Sequence, residues 1–128
     1  MTVHATAEQA RRILRDASEA ALNDAEFAAV LKEREFSLQF VLVDPELALR
    51  LDADGVEDGA PRPSVLRLEG ETDALHEILL GRLPVTRAIV DHRLVVKGQV
   101  AAVRQLADVL PVLGREYYKQ ISQGPQAA

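Results

Sequence analysis

Val65-Leu66-Arg67-Leu68-Glu69-Gly70-Glu71-Thr72-Asp73-Ala74-Leu75-His76-Glu77-Ile78-Leu79-Leu80-Gly81 is the stretch whose reading decides the fold. Its first five residues alternate between apolar and polar, the period of a half-buried strand, and Gly70 is expected to end that strand. Thr72 or Asp73 can then cap a helix, because a short side-chain oxygen satisfies the first free backbone N–H groups. Leu75, Ile78 and Leu79 fall on one face of that helix, and Gly81 closes it. Downstream, Leu83-Pro84 starts a second short turn carrying Val85, Ala88 and Ile89. Arg93-Leu94-Val95-Val96-Lys97 reads as another strand, broken at Gly98. A helix follows with Val100, Val103, Leu106, Ala107 and Leu110 along one stripe. No acid, base, nucleophile or metal cluster interrupts this unit. Its content is apolar surface ordered by glycines.

Upstream, Thr6-Ala7-Glu8-Gln9 has the form of a capping box and precedes Ala10, Ile13, Leu14, Ala17 and Ala21 at helical spacing. The stripe is thin, so this helix is expected to lie over the body as a cover. Asn23-Asp24-Ala25-Glu26 is a second start signal, for a helix with Phe27, Val30 and Leu31 inward that ends near Glu33. From Phe36 the period changes to two: Phe36, Leu38, Phe40 and Leu42 point one way, and Ser37, Gln39, Val41 and Val43 the other. Asp44-Pro45 interrupts this strand, Leu47, Leu49 and Leu51 mark a second, and Asp54-Gly55 turns a hairpin into a return strand at Val56. Asp58-Gly59-Ala60-Pro61-Arg62-Pro63 reads as a loop. With the strands near 65–69 and 93–97 the total is five.

Leu79-Leu80-Gly81-Arg82-Leu83-Pro84 followed by Arg93-Leu94-Val95-Val96-Lys97-Gly98 resembles the sterol carrier protein 2 family over residues 36 to 110. Two positions depart from the family pattern: His92 stands where a turn glycine is usual, and Gln99 where Asp or Asn would cap the next helix. The resemblance implies an α+β fold, a five-stranded mixed sheet with helices packed on one face and enclosing an apolar cavity. With the capping signals upstream and the Gly124-Pro125 end, the chain is expected to divide into a helical pair at 1–35 covering the sheet, an α+β body at 36–121 and a disordered tail at 122–128. The resemblance also implies non-enzymatic binding or transfer of a sterol, fatty acyl or related lipid, without a cofactor. The expected tunnel lining is Phe27, Val30, Leu31, Phe40, Ile78, Leu79, Ile89, Leu106, Leu110 and Leu113.

Composition narrows the field independently. With 48% hydrophobic residues in 128, the chain can fill one core and still line a pocket. Aromatics are only 4% and Trp is absent, so walls are aliphatic and stacking platforms for bases are missing. No cysteine means no disulfide, thiolate chemistry or cysteine-held metal. No basic-then-apolar leader opens the sequence, no apolar run is of membrane-spanning length, and the C-terminus lacks a Ser-Lys-Leu tail. A cytoplasmic setting is expected. The formal charge is −5, and residues 44–58 hold six acids against Arg50. An acidic chain with no basic patch is unsuited to nucleic acid or to stable insertion in an anionic membrane.

Alternatives were open at several points. Asp52-Ala53-Asp54-Gly55 suggests calcium, yet an EF-hand needs flanking helices and a glutamate at its twelfth position, where Pro63 stands. His4, His76 and His92 are dispersed and expected at the surface, and neither Ser37 nor Ser64 has a base beside it. No nucleophile elbow, phosphate loop or metalloprotease motif occurs, so no enzyme activity is expected. A second functional reading keeps the same fold with a closed core as a partner-interaction module, its dimer or partner surface on Val41 and Val43. Beyond Leu110, Pro111 and Gly114 weaken the helical pattern, so Val112 to Ile121 is expected as a separate, least stable segment serving as a lid.

Overall fold

The structure is a computed structural model that describes residues 6–59 and 63–127, with side chains described as far as Ser122. The readings of Met1 to Ala5, including His4, and of Ala60-Pro61-Arg62 lie outside the described residues.

Thr6 caps α1 (Ala7–Leu22), its hydroxyl accepting from the Gln9 backbone N–H at 3.0 Å. Asp24 caps α2 (Ala25–Glu33) by accepting from the backbone N–H groups of Glu26 and Phe27. The strands are β1 (Ser37–Val43), β2 (Leu47–Asp52), β3 (Gly55–Asp58), β4 (Leu66–Glu71) and β5 (Leu94–Gly98), in the spatial order β3-β2-β1-β4-β5. β1 and β4 run parallel and every other pairing is antiparallel, so the sheet is mixed. Between β4 and β5 lie α3 (Thr72–Leu79) and α4 (Val85–Val90). A 3-10 turn (Val100–Gln105) leads into α5 (Leu106–Ala127).

Register aligns one face across the whole sheet. Leu38 sits between Leu51 and Leu66, and Phe40 between Leu49 and Leu68, all fully buried. This is the face that the helices cover, α1 over β2 and β3 and α3 against β4, with α5 packed on α1 and α3. The opposite face carries Gln39, Arg50, Arg67, Glu69 and Lys97. There Ser37 Oγ accepts from the Val65 N–H at 2.8 Å and Arg50 Nη2 donates to the Pro63 carbonyl at 3.3 Å. These bonds tie the end of the β3–β4 connection to β1 and β2.

The acidic stretch at 44–58 is partly neutralised by tertiary contacts: Asp58 meets Arg15 at 2.9 Å and Arg11 at 3.0 Å, and Asp52 pairs with Arg50. Asp52 Oδ1 also accepts from the Asp54 N–H at 2.8 Å, a hydrogen-bonded hairpin turn rather than a calcium loop. Among the described residues no group of three or more His, Asp or Glu could hold a metal ion. No described helix is long and apolar enough to cross a membrane.

Four readings need correction. Gly70 does not end its strand, which continues through Glu71; a Cβ at Gly70 would lie 2.4 Å from the Arg93 carbonyl oxygen, so glycine is required by the approach of β5. Neither Thr72 nor Asp73 caps α3: Glu71 holds that position without a side-chain bond, and the Thr72 hydroxyl donates to the Pro45 carbonyl at 2.7 Å. Val100 leaves the apolar stripe and is 85% exposed, because the 3-10 winding turns Ala102 inward in its place. The helix does not break after Leu110: α5 is continuous through Pro111 and Gly114, and its backbone stays helical to Ala127. A Cβ at Gly114 would lie 2.3 Å from the Leu79 carbonyl oxygen, so this glycine lets α5 and α3 touch. Buried Leu113 and Tyr117 give the segment the packing of a core helix rather than that of a lid.

Candidate functional site

Among the described residues, an open apolar groove of about 500 Å³ lies between α3, α4 and the start of α5. Ile78 and Leu79 form its inner end at the last turn of α3. Gly81 turns the chain with a φ of +77°, and Leu83, Pro84, Val85 and Thr86 make one wall. Val103, Leu106, Ala107, Leu110 and Pro111 make the other. No strand residue lines it. Thr86 carries the only side-chain hydroxyl in the lining and no lining residue is charged, so the groove offers transfer of alkyl surface from water and little directional bonding.

Why this space stays open follows from local structure. α4 is only six residues long, and Pro84 before it is held at φ −63°, so the chain turns outward after Gly81. α4 then packs on β5, with Ala88 fully buried. The return to β5 is made by His92, at φ +60°, a left-handed conformation glycine would take more easily.

Of the ten residues expected in the lining, Ile78, Leu79, Leu106 and Leu110 meet in this groove. Phe27, Leu31, Phe40 and Leu113 lie in the closed core, Val30 is half-buried on α2, and Ile89 is 39% exposed on α4. Sequence reasoning omitted Gly81, Leu83, Pro84, Val85, Thr86 and Pro111 from the site. Their one visible signal is the apolar Leu83-Pro84-Val85 run just after a helix-ending glycine. Val103 and Ala107 were already on the stripe shared with Leu106 and Leu110.

Behind Leu79 lies a second, much smaller cavity of about 10 Å³, bounded by α1, the β1–β2 hairpin, α3 and α5. His76 and Tyr117 meet in it. Surface placement of His76 is thus overturned: it is 7% exposed and Tyr117 is 3% exposed. His76 Nδ1 and Tyr117 Oη share a hydrogen bond of 2.7 Å, the rings meeting edge to face at 5.5 Å between centroids. Burial holds the His76 pKa below the usual imidazole value, against the opposing pull of Glu77. Burial, reinforced by the charges of Asp73 and Glu77, pushes the Tyr117 phenol up. Both groups are neutral near pH 7. His92, by contrast, is exposed.

The sheet order and the helices on one face together define a sterol carrier protein 2 fold. Among solved structures, sterol carrier protein 2 from Yarrowia lipolytica in its apo form matches with a TM-score of 0.68 at 20% identity, over 89% of this chain and 98% of that one. The sterol carrier protein domain 2 of Helicoverpa armigera matches with a TM-score of 0.66 at 15% identity, over 81% and 87%. The ubiquinone synthesis protein UbiJ-SCP2 matches with a TM-score of 0.56 at 13% identity, over 92% and 97%. At these identities the likeness is one of fold. No protein-family profile and no curated protein matches the sequence.

Proposed function

We propose that this protein binds and transfers a hydrophobic ligand, a sterol, fatty acyl chain or related lipid, without chemical conversion. The observation that carries the reading is the aliphatic groove of about 500 Å³ at the end of α3, whose size suits a lipid-like small molecule. The sterol carrier protein 2 fold supports it. Burying a methylene gives about 0.8 kcal/mol, so a sixteen-carbon chain gains roughly 12 kcal/mol over water. Association costs about 4–15 kcal/mol. Against a bilayer, which is equally apolar, the net gain is close to zero, and that balance lets a carrier release its cargo. Native mass spectrometry of the full chain as purified from cells tests the reading: a retained lipid supports it. The same protein with Leu110→Arg places a charge on the groove wall and should lose that lipid while remaining folded. A lipid retained equally by folded Leu110→Arg protein would remove the groove as the site.

A further inference from the structure

The apolar surface around the groove is larger than the groove itself. On one side Val85 and Thr86 line it, and one turn on along α4 come Ile89 and Val90, 39% and 70% exposed. On the other side Val103 lines it. A 3-10 helix eclipses residues three apart, so Val100 continues the edge of Val103 outward, at 85% exposure. The inner edge of that turn is Ala102 and Gln105, and Gln105 Oε1 accepts from Arg34 Nη1 at 3.0 Å, which holds the valine edge outward. An alkyl molecule lying in the groove would leave Val90 and Val100 in water. Both walls run on into exposed ridges that suit a longer body.

Charge is placed to match. Residues 81–111, which supply most of the lining, hold Arg82, Arg87, Arg93, Lys97 and Arg104 against Asp91 and Asp108, in a chain whose total is −5. The remainder is more acidic still, so a negatively charged partner is steered toward the groove end. Arg82 and Arg87 are exposed on the α4 side, bonded to Glu77 at 3.2 Å and Asp91 at 3.0 Å. Arg104 is exposed on the turn, on the edge beside the valines. Exposed pairs of this kind are worth little and a guanidinium has five donors, so a second carboxylate can be taken up.

We propose that this face docks an acidic amphipathic helix of a partner protein. Its apolar row enters the groove and rests on the two ridges. Carboxylates on its flanks meet Arg82 and Arg87 on one side and Arg104 on the other. The void left by one leucine is about 150 Å³, so the groove takes about three such side chains, as a helix presents at positions i, i+4 and i+7. A flat anionic bilayer fits less well. Glu77 and Asp91 sit beside their arginines, and neither the lining nor the ridges carry an aromatic residue to anchor at a membrane interface. Discrete side chains can be spaced to miss those acids, whereas a sheet of headgroups cannot. The inference goes beyond the carrier reading and does not need it; where both hold, helix and alkyl cargo compete for one space.

The test uses full-length protein and three labelled synthetic peptides of about 18 residues, long enough to form a helix on binding. The first carries leucine at i, i+4 and i+7 with glutamate on both flanks. The second has lysine in place of each glutamate, and the third scatters the leucines of the first. Fluorescence anisotropy should give at least tenfold tighter binding of the first peptide than of either other. Its addition should shift the amide resonances of α4 and the 3-10 turn in wild-type protein. Val100→Asp, at a position too exposed to disturb folding, should weaken that binding at least fivefold. Arg104→Glu should weaken it too and narrow the preference over the lysine peptide. Equal binding of the acidic peptide and either control, shifts confined to other elements, or no binding would overturn the proposal. Sedimentation with phosphatidylglycerol vesicles that is lost in Val100→Asp, with no peptide preference, would overturn it in favour of a membrane. None of these outcomes alters the retained-lipid measurement that tests the carrier reading.

Discussion

Two regions of this small protein are built from the same aliphatic residues and end in opposite states. Beneath α1, buried side chains of β1, β2 and β4 share one core with Ala10, Leu14, Ala17 and Ala21, and a gap there is only about 10 Å³. At the far end of the helical layer, Ile78, Leu79, Leu106 and Leu110 frame a groove of about 500 Å³. Hydrophobicity does not separate them. α1 has alanines on its inner face, so its backbone settles onto the sheet and onto α5. α4 is short, starts from a proline and packs on β5, so nothing fills the angle between α3 and α5. Openness here is decided by backbone path, and composition sets only the kind of molecule that suits it.

The largest test of that contrast is a matched pair of truncations. Phe40→Ala should cost about 3–5 kcal/mol in chemical denaturation, since its void opens inside fully packed core. Leu110→Ala should cost about 2 kcal/mol, because the space it vacates merges with the groove and adds little new cavity. Equal costs would mean that the groove is closed in solution.

Next in size is Gly114→Ala. The added carbon would meet the Leu79 carbonyl and force α5 away from α3, a loss of about 1–3 kcal/mol by the same measurement. An unchanged stability would show that the helices are not in contact there.

The closed region should also respond to pH. The folded-state pKa of His76 lies below its unfolded value of about 6.5, so the unfolded chain binds the extra proton first. Stability from this group is therefore fully present above pH 6.5 and declines as pH falls toward the folded pKa. Thermal melts between pH 7.5 and 5 should show a decline that is smaller in folded His76→Gln protein. An identical profile in the two would place His76 in water.

His92→Gly should give the smallest effect, a gain of about 0.5 kcal/mol. It relieves a left-handed backbone at an exposed position, offset in part by the greater freedom of glycine when unfolded. Ligand affinity should not move, since His92 does not line the groove.

Much of the fold was legible because its signals are local. The alternation from Phe36 to Leu51 and the Asp54-Gly55 turn were readable directly, as were the helix start at Thr6 and the start signal Asn23-Asp24-Ala25-Glu26. Gly70 and Gly114 misled for one shared reason: each serves a close approach by a distant segment, β5 or α3, which no local pattern encodes. His76 was misplaced because its partner lies 41 residues away. For the site, helical spacing identified Ile78, Leu79, Leu106 and Leu110 as one kind of surface. Whether such a surface is closed, like that of Leu113, depends on the course of α4, which spacing alone does not fix.

The sheet ends in β3, four residues long, on one side and β5, five residues long, on the other. Glu57 and Asp58 sit on the first, with Arg11 and Arg15 from α1 drawn to Asp58. Lys97 and the terminal Gly98 sit on the second. Short, charged margins of this kind offer an incoming strand neither length nor flatness. A protein that exposes an oily groove is a natural candidate for clumping. Here the backbone hydrogen-bonding rows along which ordered aggregates would grow are kept brief and charged, so an open groove need not lead to growth of strands edge to edge.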